Sequence, residues 1–149
     1  MDALRFGVRA FVAIFPMDAW APRLPVPGIN TETIMLGVAF AVNALGSFPI
    51  ILGGTEEQKR RWLPKIAAGE KMVAFCLSEK FAGSDAAGLS VTATEDGDDY
   101  VICGEKKWTT NGGVADIYSV FCVTDAESKS RRISAIVVEK GTPGFTIKK

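Results

Sequence analysis

The sequence of 149 residues contains no histidine. A Ser-His-Asp triad, a Cys-His pair and most catalytic zinc sites need imidazole, so none of these can form within this chain. Any chemistry therefore falls to carboxylates, hydroxyls, backbone groups or a cofactor. An excess of either charge is also lacking, because 17 basic and 17 acidic residues give a formal net charge of +0. Without a basic excess to attract nucleic acid or anionic lipid, we predict no nucleic-acid partner.

Cysteine is scarce and odd in number. Cys76, Cys103 and Cys122 have no metal-type spacing, so we predict no metal site. Reduced thiols of this kind favour a cytosolic protein and a cytoplasmic location. The length is that of one domain, which is enough chain to bury an apolar core.

The first 70 residues favour helix, with one proline-rich interruption. Residues 4–15 are apolar with two arginines four apart, which predicts a helix that ends at Pro16. Residues 21–28 contain three prolines and are typical of a linker or extended loop. Farther on, Thr55 and Gln58 predict a capping box at the start of a second helix. The pairs Glu56–Arg60 and Glu57–Arg61 have the spacing of ion pairs along that helix.

Residues 34–52 form an uncharged stretch of 19 residues, which is long enough to cross a bilayer. Asn43, Ser47 and Pro49, together with the lack of flanking Lys/Arg clusters, argue against a membrane span. A helix buried on all sides in a soluble assembly gives the same pattern. We therefore favour a buried helix that ends at Pro49, and we predict no membrane span.

After Gly69 the pattern changes to that of strands. Segments rich in Val, Ile, Thr and aromatic residues are 72–78, 89–94, 99–104, 106–111, 116–124, 132–139 and 144–149. Turn signals at 95–99, 103–106, 111–113 and 125–131 separate them. The order predicts an α+β fold, with a helical N-terminal segment over residues 1–70 and an antiparallel sheet or open β-barrel over residues 71–149.

Residues 79–88 (EKFAGSDAAG) form a loop of small residues between the first two of these strands. Such a loop is either an ordinary connection or one that lets a phosphate or flat cofactor approach the backbone. It is not a Walker A loop or a dinucleotide fingerprint, because it lacks Gly-Lys-Ser/Thr and a surrounding βαβ unit. Farther on, Trp108 beside two threonines suits either core packing or a flat heterocycle with a polar edge.

Together, AFCLSEKFAGSDAAG and DGDDYVICGEKKWTTNGGVADIY resemble the acyl-CoA dehydrogenase family. Its central β-domain carries a Cys-x-Thr/Ser-Glu-Pro-Gly-Ala-Gly-Ser-Asp stretch and then Trp-Ile-Thr-Asn-Gly. Residues 45–70 resemble the helical segment ahead of that domain, so the resemblance covers roughly residues 31–149. In this chain Lys80 and Phe81 stand where the family usually has proline and glycine, and Thr109 replaces an apolar residue.

The resemblance implies an FAD-dependent oxidoreductase of fatty acid metabolism that converts acyl-CoA to 2-enoyl-CoA. A carboxylate removes the α-proton while the β-hydrogen leaves as hydride to the flavin. The matching flavin-contacting positions are Phe75, Cys76, Leu77, Ser78, Trp108, Thr109 and Thr110. Gly83 and Ser84 match positions that approach the acyl-CoA substrate. The implied partners are acyl-CoA, electron-transfer flavoprotein as electron acceptor, and further copies of the chain in a homo-oligomer.

In the family the catalytic base and much of the subunit interface lie in a C-terminal helical bundle. We therefore expect no catalytic residue among these 149 and no turnover by the isolated chain, which resembles a fragment. We also expect an unpaired sheet edge around residues 145–149, a partly uncovered Trp108, and self-association. The alternative is a non-catalytic module that binds flavin or CoA, or only packs against a partner.

Overall fold

The computed structural model describes residues 9–16 and 31–148. The proline-rich stretch 21–28 lies outside the described residues. The described part forms two α-helices, seven β-strands and a short 3-10 turn. The helices are α1 (Thr31–Gly53) and α2 (Glu56–Ala67), and the 3-10 turn is Ala86–Gly88. The strands are β1 (Arg9–Pro16), β2 (Val73–Cys76), β3 (Thr92–Asp96), β4 (Asp99–Thr109), β5 (Ile117–Val123), β6 (Ile133–Glu139) and β7 (Thr146–Ile147).

All seven strands belong to one sheet of order β2-β5-β3-β4-β1-β7, with β6 pairing to the other side of β5. The β3–β4 and β5–β6 pairs are antiparallel, whereas β1–β4, β1–β7, β2–β5 and the short β3–β5 contact are parallel. The α+β class is confirmed. The sheet is mixed rather than purely antiparallel, because the two antiparallel pairs join strands that are consecutive in sequence, whereas every parallel pair joins strands that are not.

The described part of residues 4–15 is a strand, so the expected helix there is wrong. β1 pairs in parallel with β4, from Arg9 opposite Val101 to Pro16 opposite Thr109. The apolar, partly β-branched and aromatic run of Arg9–Pro16 suits a strand, and tertiary pairing outweighs the helical spacing of two arginines. Residues 4–8 lie outside the described part.

Helix α1 continues through Pro49 to Gly53, so the expected end at Pro49 is wrong. Proline removes one helical hydrogen bond, but the last turn is held because Ile50 packs with Ile66, Val73 and Ile117. This chain by itself does not enclose α1 on all sides, since Phe40 is 78% exposed, and burial of that face within an assembly stays a prediction. Within α1, residues Leu36–Gly53 are long and apolar enough to cross a membrane, and no other described helix is.

One face of α1 is fixed to the sheet by two hydrogen bonds, one to a polar side chain of the helix and one to a backbone carbonyl. The Asn43 side-chain oxygen accepts from the Val73 amide at 2.7 Å. The Ser119 hydroxyl donates to the Gly46 carbonyl at 2.7 Å. A Cβ at Gly46 would lie 2.7 Å from Val73 Cγ1, so glycine is required for this close approach. Of the polar residues that argued against a membrane span, Asn43 therefore contacts the sheet, whereas the Ser47 hydroxyl donates to the Asn43 carbonyl within the helix.

Helix α2 begins with the predicted capping box. Thr55 Oγ1 accepts from the Gln58 amide at 3.2 Å, and Gln58 Oε1 accepts from the Thr55 amide at 2.8 Å. The helix passes Pro64 and ends at Ala67. Arg61 does not pair with Glu57 as expected. Its guanidinium lies 2.7 Å from the Glu139 carboxylate on β6, and the same carboxylate accepts from the Trp62 indole N–H at 2.8 Å. This cross-element contact ties α2 to the sheet.

The expected Glu56–Arg60 pair is not formed either, because Glu56 lies 3.1 Å from Lys59, one position nearer along the helix. That pair has i,i+3 spacing, which also places two side chains side by side on a helix surface.

Strand β4 is continuous through residues 103–106, so the turn predicted there is wrong. Gly104 has φ +141° within the strand, and Val91 approaches it closely. Glycine often marks a turn, but Gly104 instead accommodates a positive φ and a close neighbour within a strand.

The largest apolar cluster among the described residues is formed mainly by the strands β2 to β6. Its buried members are Ala74, Cys76, Val91, Ala93, Ile102, Ala115, Tyr118, Val120, Cys122 and Val138. The Tyr118 hydroxyl donates to the carbonyls of Gly112 at 3.0 Å and Ala115 at 2.8 Å, which fixes the turn from β4 to β5. At the opposite side of the described sheet, β7 is an edge strand, as expected.

Candidate functional site

A cleft of about 180 Å³ lies where the end of β2, the end of β4 and the middle of α1 meet. It is lined by Val42, Leu45, Phe75, Leu77, Ser78, Lys107, Trp108 and Thr110. Five of the residues expected to contact a cofactor thus line one cleft, although the two segments are some 30 positions apart in sequence. The contributions of α1 and Lys107 were not predicted.

Two expected site residues, Cys76 and Thr109, do not line the cleft. Side chains alternate along a strand, so Cys76 lies on the opposite face from Phe75 and Leu77, in the apolar cluster. Burial raises the pKa of the Cys76 thiol to about 12, against smaller opposing effects of the Thr109 hydroxyl and Lys106. Thr109 is buried, and among the described residues its Oγ1 has no partner within hydrogen-bonding geometry. The nearby thiol is only a weak partner for it.

Trp108 has an unusual backbone conformation. Its φ is +61°, in the left-handed region that bulky residues rarely adopt. Such strain costs about 1–3 kcal/mol and persists only where the surroundings enforce it. The conformation interrupts the strand alternation, so that consecutive Lys107 and Trp108 both line the cleft. Trp108 is 55% exposed, which confirms the expectation of a partly uncovered indole.

The small-residue loop joins β2 to β3, as predicted. Gly83 and Ser84 are exposed on this loop and are not among the residues that line the cleft. The Asp85 carboxylate accepts from the Ala87 amide at 3.1 Å and caps the 3-10 turn. The guanidinium of Arg132 donates to the Ala87 carbonyl at 2.7 Å. Side chains of the chain itself therefore hold the path of the loop.

A buried ion pair lies directly behind the cleft and was not predicted. Lys106 Nζ lies 2.8 Å from Glu79 Oε1, and the two side chains are 0% and 5% exposed. Glu79 also accepts from the Ser90 amide and hydroxyl and from the Val91 amide, at 2.6–3.0 Å. Burial raises the pKa of Glu79, but the hydrogen bonds from Lys106, Ser90 and Val91 outweigh it and the pKa lies below its ordinary value.

Two family descriptions together match most of the chain. Residues 29–70 match the N-terminal domain of acyl-CoA dehydrogenase, and residues 74–149 match its middle domain. This chain belongs to the acyl-CoA dehydrogenase family. The family prediction made from the two motifs is thereby confirmed, and the cleft lies between segments of both matched regions.

Curated relatives carry the same family name. An acyl-CoA dehydrogenase of Bacillus subtilis is 41% identical over 127 residues, which are 85% of this chain and 34% of that protein. A probable acyl-CoA dehydrogenase of Mycobacterium leprae is 47% identical over 107 residues, 72% of this chain and 28% of that protein. The chain thus spans about a third of the length of the curated relatives it matches.

Solved structures give the same result. The acyl-CoA dehydrogenase from Geobacillus kaustophilus aligns with a TM-score of 0.69 and 43% identity, over 78% of this chain and 30% of that chain. A glutaryl-CoA dehydrogenase from Mycobacterium smegmatis in complex with FADH2 aligns with a TM-score of 0.70 and 38% identity, over 76% and 28%. A chain in the structure of the electron transferring flavoprotein of Acidaminococcus fermentans aligns with a TM-score of 0.74 and 43% identity, over 77% and 30%.

Proposed function

We propose that this chain forms the flavin-contacting part of an FAD-dependent acyl-CoA dehydrogenase that oxidises acyl-CoA to 2-enoyl-CoA. The observation that carries the proposal is the convergence of Phe75, Leu77 and Ser78 with Trp108 and Thr110 on one cleft. The glutaryl-CoA dehydrogenase relative, whose structure holds FADH2, supports the same cofactor. We further propose a division near residue 70 into a helical segment and a β-domain.

The residues at the cleft fit a flat ring system with one polar edge. Phe75, Leu77 and the exposed face of Trp108 offer apolar surface, and Ser78 and Thr110 offer hydroxyl groups. Behind them, the buried Thr109 hydroxyl lacks a partner among the described residues. Such a hydroxyl can accept a stronger partner than the weak Cys76 thiol, although Thr109 itself does not line the cleft.

In this reaction the described residues bind and orient, and they stabilise charge. FAD, when bound, accepts the hydride that leaves the substrate β-carbon. Ser78, Lys107 and Thr110 line the cleft, and we propose that hydrogen-bond donors from these residues stabilise negative charge on an electron-accepting ring. Because none of the described residues that line the cleft is a carboxylate, the base that takes the α-proton is supplied from elsewhere.

The remaining assignments rest on the resemblance. We propose that Gly83 and Ser84 on the exposed loop contact acyl-CoA, and that electron-transfer flavoprotein takes the electrons onward. A homo-oligomer, a cytoplasmic location and a role in fatty acid metabolism belong to the same proposal. The lack of a carboxylate at the described cleft also favours a second candidate, a module that binds flavin without turnover.

Titration of the chain with FAD, followed by quenching of flavin fluorescence, tests the site. We expect Trp108→Ala and Thr110→Val each to weaken FAD binding about tenfold, equal to about 1.4 kcal/mol. Phe81→Ala and Thr94→Val are matched controls, because both side chains are exposed and lie outside the cleft. Thr109→Val tests the role of the Thr109 hydroxyl. Weaker FAD binding indicates that the hydroxyl contacts the cofactor, and unchanged binding indicates that it only packs.

Unchanged FAD affinity in both cleft variants would contradict the site assignment, and no FAD binding by the unaltered chain would contradict the proposed function. A dye-reduction assay with acyl-CoA tests the expectation that the chain alone has no turnover. Both candidates predict FAD binding without dye reduction, and dye reduction by the chain alone would contradict the conclusion that the base is supplied from elsewhere.

A further inference from the structure

The Glu79–Lys106 ion pair connects both walls of the cleft. Lys106 Nζ donates to the Leu77 carbonyl at 2.9 Å as well as to Glu79. The next amide along β4, that of Lys107, donates to the Ser78 carbonyl at 2.8 Å. Lys106 and Lys107 on β4 therefore fix Leu77 and Ser78, which follow β2 along the cleft. Glu79 in turn fixes the Lys106 ammonium group that bonds to Leu77.

Stability alone is a weak reason for such a pair. A buried ion pair loses the hydration of both charges, and apolar replacement of a whole pair is often neutral or stabilising. Here, however, the Lys106 side chain has no exposed surface, and its ammonium group donates to the carbonyl of the cleft residue Leu77 as well as to Glu79. The pair also reaches the far end of the small-residue loop, because Glu79 accepts from the amides of Ser90 and Val91.

The left-handed Trp108 needs such an anchor. It lies two residues after Lys106 and directly before the buried Thr109. With the backbone fixed on both sides, the chain has little freedom to relax Trp108 to an ordinary extended conformation. If Lys106 were released, β4 would lose its connection to Leu77 and the strain at Trp108 could dissipate.

We propose that Glu79 and Lys106 are positioning residues that hold Trp108 and the Leu77 carbonyl in place and so preform the cleft for its flat ligand. This inference rests on the proposed function of the cleft as the flavin site. Neither residue lines the cleft itself. They act through Leu77, Lys107 and Trp108, which do.

The test labels the chain with 5-fluorotryptophan and records its fluorine NMR spectrum without FAD. Loss of one resonance in Trp108→Phe assigns Trp108, and Trp62→Phe assigns Trp62 in the same way. In Glu79→Gln/Lys106→Met, which removes both charges together, we expect the Trp108 resonance to shift and the Trp62 resonance to stay. The matched control is Arg61→Met/Glu139→Gln, which removes an ion pair next to Trp62 and should give the reverse result.

FAD titration of the same variants provides the second readout. We expect the Glu79→Gln/Lys106→Met chain to bind FAD about tenfold more weakly and the control pair to bind it normally. If the double variant does not fold, Lys106→Met alone takes its place, because Glu79 then still accepts from the Ser90 amide and hydroxyl and from the Val91 amide. An unchanged Trp108 resonance in a folded variant overturns the positioning role. If the Trp108 resonance shifts but FAD affinity is unchanged, the ion pair positions Trp108 without affecting the ligand, and the proposed link between the pair and ligand binding is overturned.

The two proposals fail separately. If the unaltered chain binds no FAD, the proposed function fails, but the Trp108 resonance still decides whether the ion pair positions the indole. A purely structural role would lower the free energy of unfolding and leave the Trp108 resonance of the folded chain unchanged, which also overturns the inference.

Discussion

Replacing Gly104 by alanine perturbs the strand that carries the site. Gly104 lies in β4, two residues before Lys106, with φ +141°. A Cβ added there would lie 2.6 Å from Val91 Cγ2 and 3.1 Å from Val91 Cα. Rotation of the valine side chain relieves the first contact but not the second, so either β4 or the segment just before β3 must move. Val91 is also the residue whose amide donates to Glu79 at 3.0 Å.

The expected loss of stability has two parts. A non-glycine residue in this region of backbone space costs about 1–3 kcal/mol, and an extra methyl group in a well-packed site costs about 1–3 kcal/mol more. We therefore expect Gly104→Ala to lower the free energy of unfolding by about 2–6 kcal/mol, a large share of the roughly 5–15 kcal/mol that holds a domain together.

Urea denaturation followed by circular dichroism measures this loss, and two other glycines separate its parts. Gly97 has φ +65° with nothing within 4 Å of an added Cβ, so Gly97→Ala reports the backbone cost alone, about 1–2 kcal/mol. Gly113 has open space and no left-handed φ, so Gly113→Ala should leave stability nearly unchanged. Adding Val91→Ala to Gly104→Ala should recover part of the loss. The reasoning is refuted if Gly104→Ala costs no more than Gly97→Ala.

Two further predictions concern titratable groups. In the folded chain Ellman's reagent should modify only Cys103, which is exposed, because burial raises the pKa of Cys76 and of Cys122 to about 12. Rapid modification of a second thiol before unfolding would contradict this. The folded pKa of Glu79 lies below the unfolded value of about 4.3, so its contribution to stability is present above that pH and is lost as the pH falls through the folded pKa. Urea midpoints from pH 6 to pH 3 should therefore fall more steeply for the unaltered chain than for Glu79→Gln/Lys106→Met, and parallel curves would count against it.

Local patterns were enough to predict that strands follow residue 71 and that a capping box begins α2, because these depend on neighbours in sequence. The residue types around Val73–Cys76 and the Thr55–Gln58 spacing are examples, and both the strand and the cap are formed. Predictions failed where a distant partner outweighs the local preference. Arg9–Pro16 is a strand because β4 and β7 pair with it. Arg61 leaves its helical neighbour for Glu139, which lies 78 positions away.

Only part of the candidate site was predicted, because some of its residues come from elements that are distant in sequence. Motif resemblance pointed to Trp108 and Thr110, but it carries no signal for Val42 and Leu45, which reach the cleft from another element. Lys106 is adjacent in sequence to Lys107 and resembles a solvated charge, yet it is fully buried. Only the strand geometry that brings Glu79 within 2.8 Å makes that burial possible. The left-handed Trp108 leaves no sequence signal, because no residue type encodes it.

The contacts of α1 connect the question of membrane insertion to the question of the site. If Leu36–Gly53 spanned a bilayer, the Asn43 side chain would no longer accept from the Val73 amide, nor the Gly46 carbonyl from Ser119. Buried polar groups left without partners cost about 1–3 kcal/mol each, and Asn43 itself would enter hydrocarbon. The cleft would also lose the wall formed by Val42 and Leu45. A membrane-spanning α1 and an intact cleft therefore exclude each other, so that FAD binding which depends on Trp108 and Thr110 is also evidence that α1 stays on the sheet.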